Sequence, residues 1–319
     1  MDNLTHTLVG LALAESGLKR PSRFGTGVLV LGANLPDLDG LTYFLGSGTF
    51  ALTVRRGWTH GVLAMALLPP LLAAATLGWS RLAARRDGAP ALPVRAGWLL
   101  ALSCIGIWSH PLLDLLNTYG VRLLMPFSGR WFYGDALFIL DPWMWVMLSL
   151  GIVLSRRAAR RAASPDATRR AGRPARVALA AAVVYAVGMA AASRAGRAYV
   201  ERQSTAAALR TMVSPVPGTP FRRDVIRDLG GAYEFGVLTL APWSYSRISV
   251  EPTGGDSPAA RAAAATPVGI RFLRWARFPR FVTQHQGDSV RVIISDARYA
   301  RPGGGSWASV TVTLPAGGG

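Results

Sequence analysis

Four polar motifs lie inside or at the edge of the most apolar segments of this chain. The motifs lie at residues 5–7, 34–39, 58–61 and 109–114, and each contains a histidine or an aspartate. An ionisable group at the centre of a lipid-facing helix costs about 2.5 to 3.5 kcal/mol on insertion scales. We therefore expect these groups to share a partner, and imidazoles and carboxylates most naturally share a metal ion.

The length of the apolar segments indicates a membrane protein. Hydrophobic residues make up 50% of the 319 residues, charged residues only 16%, and the mean hydropathy is +0.28. Most of the apolar stretches approach the ~20 residues that a helix needs to cross a bilayer. They run over residues 4–18, 24–45, 60–79, 97–119, 135–154 and 177–195. The sequence therefore predicts an α-helical membrane protein, a bundle of about five or six membrane helices.

The net charge of +18 comes mainly from arginines, which fall between the apolar segments and across the tail. They do not form one basic stripe with interleaved aromatic residues, so we do not expect nucleic-acid binding. Arginines are densest in the loops at 80–96 and 155–176, which the positive-inside rule places in the cytoplasm. The polar motifs then lie at the outer ends of their helices. Everything after the last helix is likewise expected on the outer side of the membrane. The single cysteine, Cys104, excludes an intrachain disulfide and a cysteine-based zinc site.

The strongest local spacing joins His110 and Asp114, which one helical turn places on the same face. Asp37 and Asp39 are two residues apart, so a regular helix points them in nearly opposite directions. We expect one of them to bind the ion and the other to support a ligand or a second ion, with Pro36 opening the backbone. A helix cap or an outer turn is the alternative interpretation of this motif.

The metal ligands that the sequence predicts come from all four motifs, and neither His6 nor His60 has a ligand-spaced partner in its own segment. The predicted ligands are His6, Asp37, Asp39, His60, His110 and Asp114. Histidine with carboxylate suits zinc better than magnesium, and manganese or iron would also fit. We expect one or two ions, with one carboxylate of Asp37, Asp39 or Asp114 left as general base.

Four arginines in the predicted outer loops are candidates for binding an anionic substrate group. They are Arg55, Arg56, Arg122 and Arg130. Guanidinium binds phosphate through two parallel hydrogen bonds. Long cationic side chains also snorkel to the membrane interface, and the sequence does not distinguish the two roles.

Several motifs together resemble one known family. They are Leu4-Thr-His-Thr7, Asn34-Leu-Pro-Asp-Leu-Asp39, Arg55-Arg-Gly-Trp-Thr-His60 and His110-Pro-Leu-Leu-Asp-Leu-Leu-Asn-Thr-Tyr-Gly120, followed by Pro126-Phe-Ser128. Over about residues 1–155 the chain resembles the membrane-bound metal-dependent hydrolases of the YdjM type.

That family is in turn distantly similar to the zinc-dependent phospholipase C and P1 nuclease group, whose helical enzymes hydrolyse phosphate esters at clustered metal ions. This resemblance implies two metal positions built from the residues named above, bridged by Asp114. The chain departs from the larger pattern after Asp114, because the helical region has no further histidine and no His-xxx-Glu pair. A third metal would need Asp135 or Asp141.

We therefore expect a metal-dependent hydrolase of the bacterial inner membrane that cleaves a phosphoester of a lipid or lipid-linked substrate. Two alternatives from other classes stay open. One is an ion- or proton-coupled transporter whose intramembrane histidines and aspartates carry ions. The other is a non-catalytic scaffold in which a metal ion braces the helices. The sequence indicates neither the substrate nor the oligomeric state.

The sequence composition changes after residue 200, where short runs rich in valine, isoleucine and aromatic residues alternate with glycine and proline turns. The runs lie at 233–240, 245–250, 269–272, 290–294 and 308–314. They predict a small β-rich extracytoplasmic domain over 200–319, with a disordered Gly-rich end. The remaining predicted parts are a metal-site membrane domain at 1–155, a basic cytoplasmic loop at 156–176 and a last transmembrane helix at 177–195.

Overall fold

The chain divides into two compact units. A computed structural model describes residues 1–45, 48–87, 94–300 and 307–315. The first unit consists of Met1–Asp39 and Arg56–Ala191, and it is helical. The second consists of Gly40–Arg55 and Ala192–Gly319, and it contains the β-strands. The expected disordered end, residues 316–319, lies outside the described residues.

Most of the helices before the strands follow the apolar segments of the sequence. The helices are α1 (Asn3–Leu13), which continues into a π-helical turn (Ala14–Leu18), α2 (Gly25–Asn34), which continues into a 3-10 helix (Leu35–Phe44), α3 (Gly48–Val54), α4 (Val62–Asp87), α5 (Ala96–Leu115), α6 (Pro142–Arg160), α7 (Pro165–Arg170) and α8 (Arg173–Gln203). Of these, α3 and α7 lie in predicted loops. The change from α2 to a 3-10 helix occurs at the Asn34-Leu35-Pro36 boundary, where proline has no N–H to continue the α-helical pattern.

Within the described residues, three segments are long and apolar enough to cross a membrane. They are Val62–Ala83 in α4, Ala96–Leu115 in α5, and Pro165–Gln203, which covers α7 and α8. The segments α1, α2 and α6, which the sequence also predicts as membrane-associated, are not among them. The structure therefore supports a helical membrane part with three candidate spans, and a bundle of five or six membrane helices stays a prediction.

Two expected loops are largely helical. The predicted loop at 80–96 begins inside α4, which ends at Asp87, while residues 88–93 lie outside the described part of the chain. The predicted basic loop at 156–176 contains the end of α6, the short helix α7 and the start of α8. Ser164 begins α7 by accepting a hydrogen bond from Ala167 N, and Pro165 follows at the first helical position.

Close packing between α2 and α5 places the polar ends of these helices side by side. A Cβ atom at Gly106 would lie 3.0 Å from the Leu29 carbonyl oxygen and 3.3 Å from Gly32 Cα. Glycine at both positions therefore lets the two backbones approach closely, as small residues do in membrane helix pairs. Buried apolar side chains surround this contact, among them Val28, Leu29, Leu99 and Leu102.

The second unit contains two antiparallel sheets. The first has the strand order β1 (Arg210–Val216), β2 (Thr219–Asp228), β3 (Ala232–Leu240) and β4 (Trp243–Pro252). After α9 (Pro258–Ala265) and α10 (Pro267–Leu273), the second has the order β5 (Pro279–Gln286), β6 (Ser289–Asp296) and β7 (Ser309–Pro315). The expectation of a β-rich C-terminal part is confirmed by these antiparallel sheets.

One of the five predicted strand-like runs is wrong. Residues 269–272 belong to α10, where Thr266 accepts a hydrogen bond from Gly269 N and Pro267 occupies the first turn. A threonine cap followed by proline is a helix start, and this signal outweighs a four-residue apolar run. The sequence analysis also missed β1, β2 and β5.

Candidate metal centre

Four short stretches of the first unit place the polar side chains that the sequence singles out. His6 lies on α1, Asp37 and Asp39 lie on the 3-10 helix, and His60 lies just before α4. His110 and Asp114 lie one turn apart on α5. The four side chains of His6, His60, His110 and Asp114 have no exposed surface, whereas Asp37 is partly exposed. The sequence motifs therefore meet in the interior of the helical unit.

Four ligand atoms converge on one point: Asp37 Oδ1, His60 Nε2, His110 Nε2 and Asp114 Oδ2, all within 4.8 Å of one another. The two imidazole nitrogens are 3.1 Å apart. Asp114 Oδ2 lies 3.2 Å from His60 Nε2 and 3.5 Å from His110 Nε2, while Asp37 Oδ1 lies 3.9 Å and 3.6 Å from the same two atoms.

Hydrogen bonds on the far side of each ring fix which nitrogen faces this point. His110 Nδ1 lies 2.6 Å from the Ala33 carbonyl oxygen, which only accepts, so Nδ1 carries the proton. His60 Nδ1 lies 2.9 Å from Thr59 Oγ1, whose hydroxyl donates to Asp39 Oδ2 at 2.7 Å. Thr59 therefore accepts from His60 Nδ1–H. In both rings Nδ1 is the nitrogen held by these bonds and Nε2 points inward, as one ring nitrogen does in metal-binding histidines.

The protonation of His60 agrees with this arrangement. Burial lowers the pKa of His60 to about 4, against the opposing effect of the Asp39 carboxylate beside Nδ1. The ring is therefore neutral at pH 7, which is the form that binds a metal ion.

This donor set fits a divalent transition metal. Two imidazole nitrogens 3.1 Å apart face two carboxylate oxygens, and a cation between them would be attracted by both carboxylates. Asp114 Oδ2 accepts no hydrogen bond from the described residues. Two nitrogen and two oxygen ligands are a combination that zinc, manganese or iron accepts, and the identity of the metal stays open.

The two aspartates of the 3-10 helix have different surroundings. Asp37 joins the four converging atoms, whereas Asp39 Oδ2 accepts hydrogen bonds from Arg56 N at 2.8 Å and from the Thr59 hydroxyl. Asp39 therefore orients His60 and the turn before α4. The sequence analysis expected one ligand and one supporting carboxylate here without assigning the two roles, because the spacing is compatible with either.

His6 is close to the centre but is not one of the four converging groups. Its ring stacks on that of His110, with centroids 3.6 Å apart and planes inclined by 14°. Its Nε2 atom lies 3.4 Å from Asp114 Oδ1, which is the carboxylate oxygen on the opposite side from Oδ2.

The four arginines predicted to bind substrate occupy different environments. Arg56 is only 4% exposed and its Nη2 lies 3.3 Å from Asp114 Oδ1, so burial corrects its expected position in an open loop. Arg122 is 9% exposed and lies over the Trp131 ring. Arg55, in the second unit, is half-buried over Tyr43, and Arg130 is exposed beside Phe132.

Arg56 is held by a network that sequence reasoning missed. Its Nη1 donates to Asn117 Oδ1 at 3.1 Å, and Asn117 Oδ1 also accepts from the backbone N–H groups of Tyr119 and Gly120. Arg56 itself has a φ of 50°, a left-handed conformation that is uncommon outside glycine and asparagine. Asn117 is part of the motif that starts at His110, which is the signal that points to it.

Asp135 and Asp141 do not belong to the group of converging ligand atoms. Asp141 caps α6 by accepting hydrogen bonds from Trp143 N and Met144 N, and it also accepts one from the Tyr185 hydroxyl. A structural role accounts for this carboxylate.

The fold and the centre together define a membrane-associated helical protein with a buried aspartate–histidine group that is able to bind a metal ion. A sequence profile of the family described as YdjM inner membrane protein matches residues 1–197, so the chain belongs to that family. The match includes all six predicted ligands and ends before the first strand. Neither the curated proteins nor the solved structures gave a match.

Proposed function

We propose that this protein is a membrane metallohydrolase that cleaves a phosphoester bond in a lipid or lipid-linked substrate. The observation that carries the proposal is the convergence of Asp37, His60, His110 and Asp114 in a buried site. A cation-binding group of this kind is costly to bury, and in membrane proteins such groups mark functional sites. The family membership agrees with a location in the inner membrane.

Contacts within the chain position three of the four donors. The Ala33 carbonyl orients His110, and the Thr59–Asp39 pair orients His60. Arg56 holds the opposite oxygen of Asp114. When bound, a divalent ion would lower the pKa of a water molecule and polarise a phosphoryl oxygen. The contribution of the protein is to hold the donors in place and to limit access of bulk water.

Asp37 is the carboxylate best placed to accept the proton of an attacking water molecule. Asp39 Oδ2 is engaged by Arg56 N and Thr59, and both oxygens of the buried Asp114 face cationic or imidazole groups. Asp39 and Asp114 are buried, whereas Asp37 is partly exposed. We therefore assign the general base to Asp37 Oδ2, leaving Oδ1 toward the other ligands.

The exposed Arg130 is our candidate for contacting the substrate phosphate, because guanidinium pairs with phosphate oxygens. Arg122 lies deeper, against Trp131, and would stabilise the same charge. We infer a lipid-borne substrate because the centre is built on helices of the unit that contains the candidate spans. A site on the extracytoplasmic side belongs to the same proposal.

The proposal is tested by assaying detergent-purified protein in mixed micelles with phospholipids of differing head group. We expect release of a phosphate-containing product that requires added Zn²⁺, Mn²⁺ or Fe²⁺ and is lost in His110→Phe. Arg130→Gln should raise KM about tenfold while leaving metal content unchanged. Metal-loaded, folded protein that turns over no phosphoester would contradict hydrolysis and favour a metal-braced scaffold.

A further inference from the structure

We propose that the centre takes one divalent ion, and that the Arg56 guanidinium lies where a second ion would have to bind. This inference rests on the metal site of the proposed function and limits its chemistry to a single ion. It differs from the two bridged ions that the wider family resemblance implies.

The stacking of His6 on His110 separates the two rings into different ligand planes. A metal ion bound to an imidazole lies close to the plane of that ring, about 2.0 to 2.1 Å from the nitrogen for zinc. The two ring planes are inclined by only 14° and their centroids are 3.6 Å apart. An ion in the plane of the His110 ring therefore lies well outside the plane of the His6 ring. The two histidines cannot share one ion in this arrangement.

His6 can therefore serve only a second ion, which would also need Asp114 Oδ1, the oxygen 3.4 Å from His6 Nε2. That oxygen already faces other groups. Arg56 Nη2 lies 3.3 Å away, Asn117 Nδ2 lies 3.5 Å away, and the amino group of Met1 also contacts it. Asp114 thus presents Oδ2 to the four-atom site and Oδ1 to Arg56.

Several further contacts hold Arg56 in this position. Besides the bond to Asn117, Nη1 donates to the Gly120 carbonyl at 3.4 Å and Nη2 donates to the Met1 carbonyl at 3.4 Å. The guanidinium carbon lies 4.6 Å from the centre of the Tyr119 ring. A guanidinium that is buried, hydrogen-bonded and stacked is a permanent part of the centre.

The balance of charge in the buried centre favours one divalent ion over two. Asp37, Asp39 and Asp114 contribute three negative charges, whereas Arg56, the amino group of Met1 and one divalent ion together contribute four positive charges. A second divalent ion would add two positive charges, and the described centre offers no further carboxylate to offset them. Uncompensated charge in a buried site is strongly unfavourable.

The test is the metal content per chain of detergent-purified, metal-loaded full-length protein, measured by mass spectrometry. Two matched variants, His6→Phe and His110→Phe, keep an aromatic ring but remove the nitrogen donors. We expect about one equivalent of metal per chain in the wild type and in His6→Phe. In His110→Phe we expect less than about 0.2 equivalents of metal per chain. Circular dichroism and gel filtration confirm that each variant is folded.

Two equivalents in the wild type, with one lost in His6→Phe, would overturn the single-ion inference and leave the proposed hydrolase standing. Absence of any bound ion in folded, metal-loaded wild type would instead overturn the metal site itself. The two failures are therefore distinguishable.

A second comparison tests the role of Arg56 directly. In Arg56→Met, which keeps the length of the side chain but removes its charge, we expect the content to rise towards two equivalents at high metal concentration. The metal content of Arg56→Lys should stay near one equivalent per chain. The double variant Arg56→Met with His6→Phe should also bind about one equivalent. A folded Arg56→Met protein that stays at one equivalent would show that Arg56 does not exclude a second ion.

Discussion

Thr59 is not one of the converging ligands, yet it helps to determine the orientation of one of them, His60. Its hydroxyl donates to Asp39 and its oxygen accepts from His60 Nδ1, so it links the backbone turn at Arg56 to the orientation of the imidazole. Partners of this kind fix the tautomer and rotation of a metal-binding histidine.

We predict that Thr59→Val weakens metal binding about 10- to 100-fold without removing any ligand. Valine has nearly the same shape as threonine, but it cannot accept the Nδ1–H of His60. Competition with a chromophoric chelator measures the affinity. Thr53→Val in α3, where the hydroxyl donates to the Phe50 carbonyl, is the matched control and should bind metal like the wild type. Equal affinity in both variants would contradict the role assigned to Thr59.

Part of this centre could be predicted from single residues, and part could not. The four-residue spacing of His110 and Asp114 on a helix predicts a shared face, and the structure places both side chains at the same point. The stacking of His6 on His110 depends on how α1 packs beside α5, which no local pattern specifies. For the same reason the sequence placed Arg56 in an open loop, although its burial depends on Asn117, which is 61 residues away.

Among the helices, the contact between α2 and α5 positions the metal centre. Gly32 and Gly106 let the helices approach, and this approach places the Ala33 carbonyl at His110 Nδ1. The geometry of a ligand therefore depends on a glycine pair one turn away from it.

We predict that Gly106→Leu separates these helices, lowers the thermal midpoint by several degrees and weakens metal binding at least tenfold, because the Ala33–His110 hydrogen bond is broken. Gly97→Leu in the same helix is the control, since a Cβ atom there meets nothing within 4 Å. Thermal unfolding and chelator competition report the two effects. If Gly106→Leu behaves like Gly97→Leu, then the helix contact does not position His110.

A buried carboxylate joins three strands of the first sheet. Glu234 on β3 accepts hydrogen bonds from Arg227 on β2 at 2.8 Å and from Tyr245 on β4 at 2.6 Å. Burial by itself would raise the pKa of Glu234, but these hydrogen bonds and the arginine charges lower it below its usual value. The stabilisation is therefore complete above the unfolded-state pKa, roughly 4.3, and is lost as the pH falls through the folded-state value.

We predict that Glu234→Gln lowers the free energy of unfolding by about 2 kcal/mol at pH 7 and that this difference shrinks below about pH 4. Denaturant unfolding of the full chain between pH 3 and pH 7 measures it. The exposed Glu201→Gln is the control and should show no comparable loss. A Glu234→Gln effect that stays constant over this range would contradict the depressed pKa.

The sequence analysis missed β2 because buried charges interrupt its apolar residues. β2 contains Arg223 and Arg227, both almost fully buried, and Arg223 donates to Ser193 on α8. Arg227 donates to Glu234 on β3. A search for apolar runs therefore passes over β2. The runs in β3, β4, β6 and β7 were found from the sequence.

At the scale of the whole molecule, the chain joins a helical unit of an inner-membrane family to a unit built on antiparallel sheets. Apolar length alone predicts α4, α5 and α8, because crossing a bilayer sets a physical minimum. The convergence of four motifs was predicted from the cost of burying their charges.

We predict that metal loading stabilises the full-length protein by mass action. At a free metal concentration 100 times Kd the stabilisation is about 2.7 kcal/mol, and a chelator removes it. Differential scanning fluorimetry in detergent measures the shift of the unfolding midpoint. His110→Phe should show no shift with metal, and an equal shift in that variant would indicate binding elsewhere.

Asp37, His60, His110 and Asp114 are the ligands that we expect to hold the ion, and X-ray absorption at the metal edge of the zinc-loaded protein identifies the ligand atoms. We predict two imidazole nitrogens at about 2.0 to 2.1 Å, with the remaining ligands oxygen atoms. His6→Phe should leave this spectrum unchanged, and His110→Phe should abolish the bound ion. A spectrum without imidazole, or one with three imidazoles, would contradict the site.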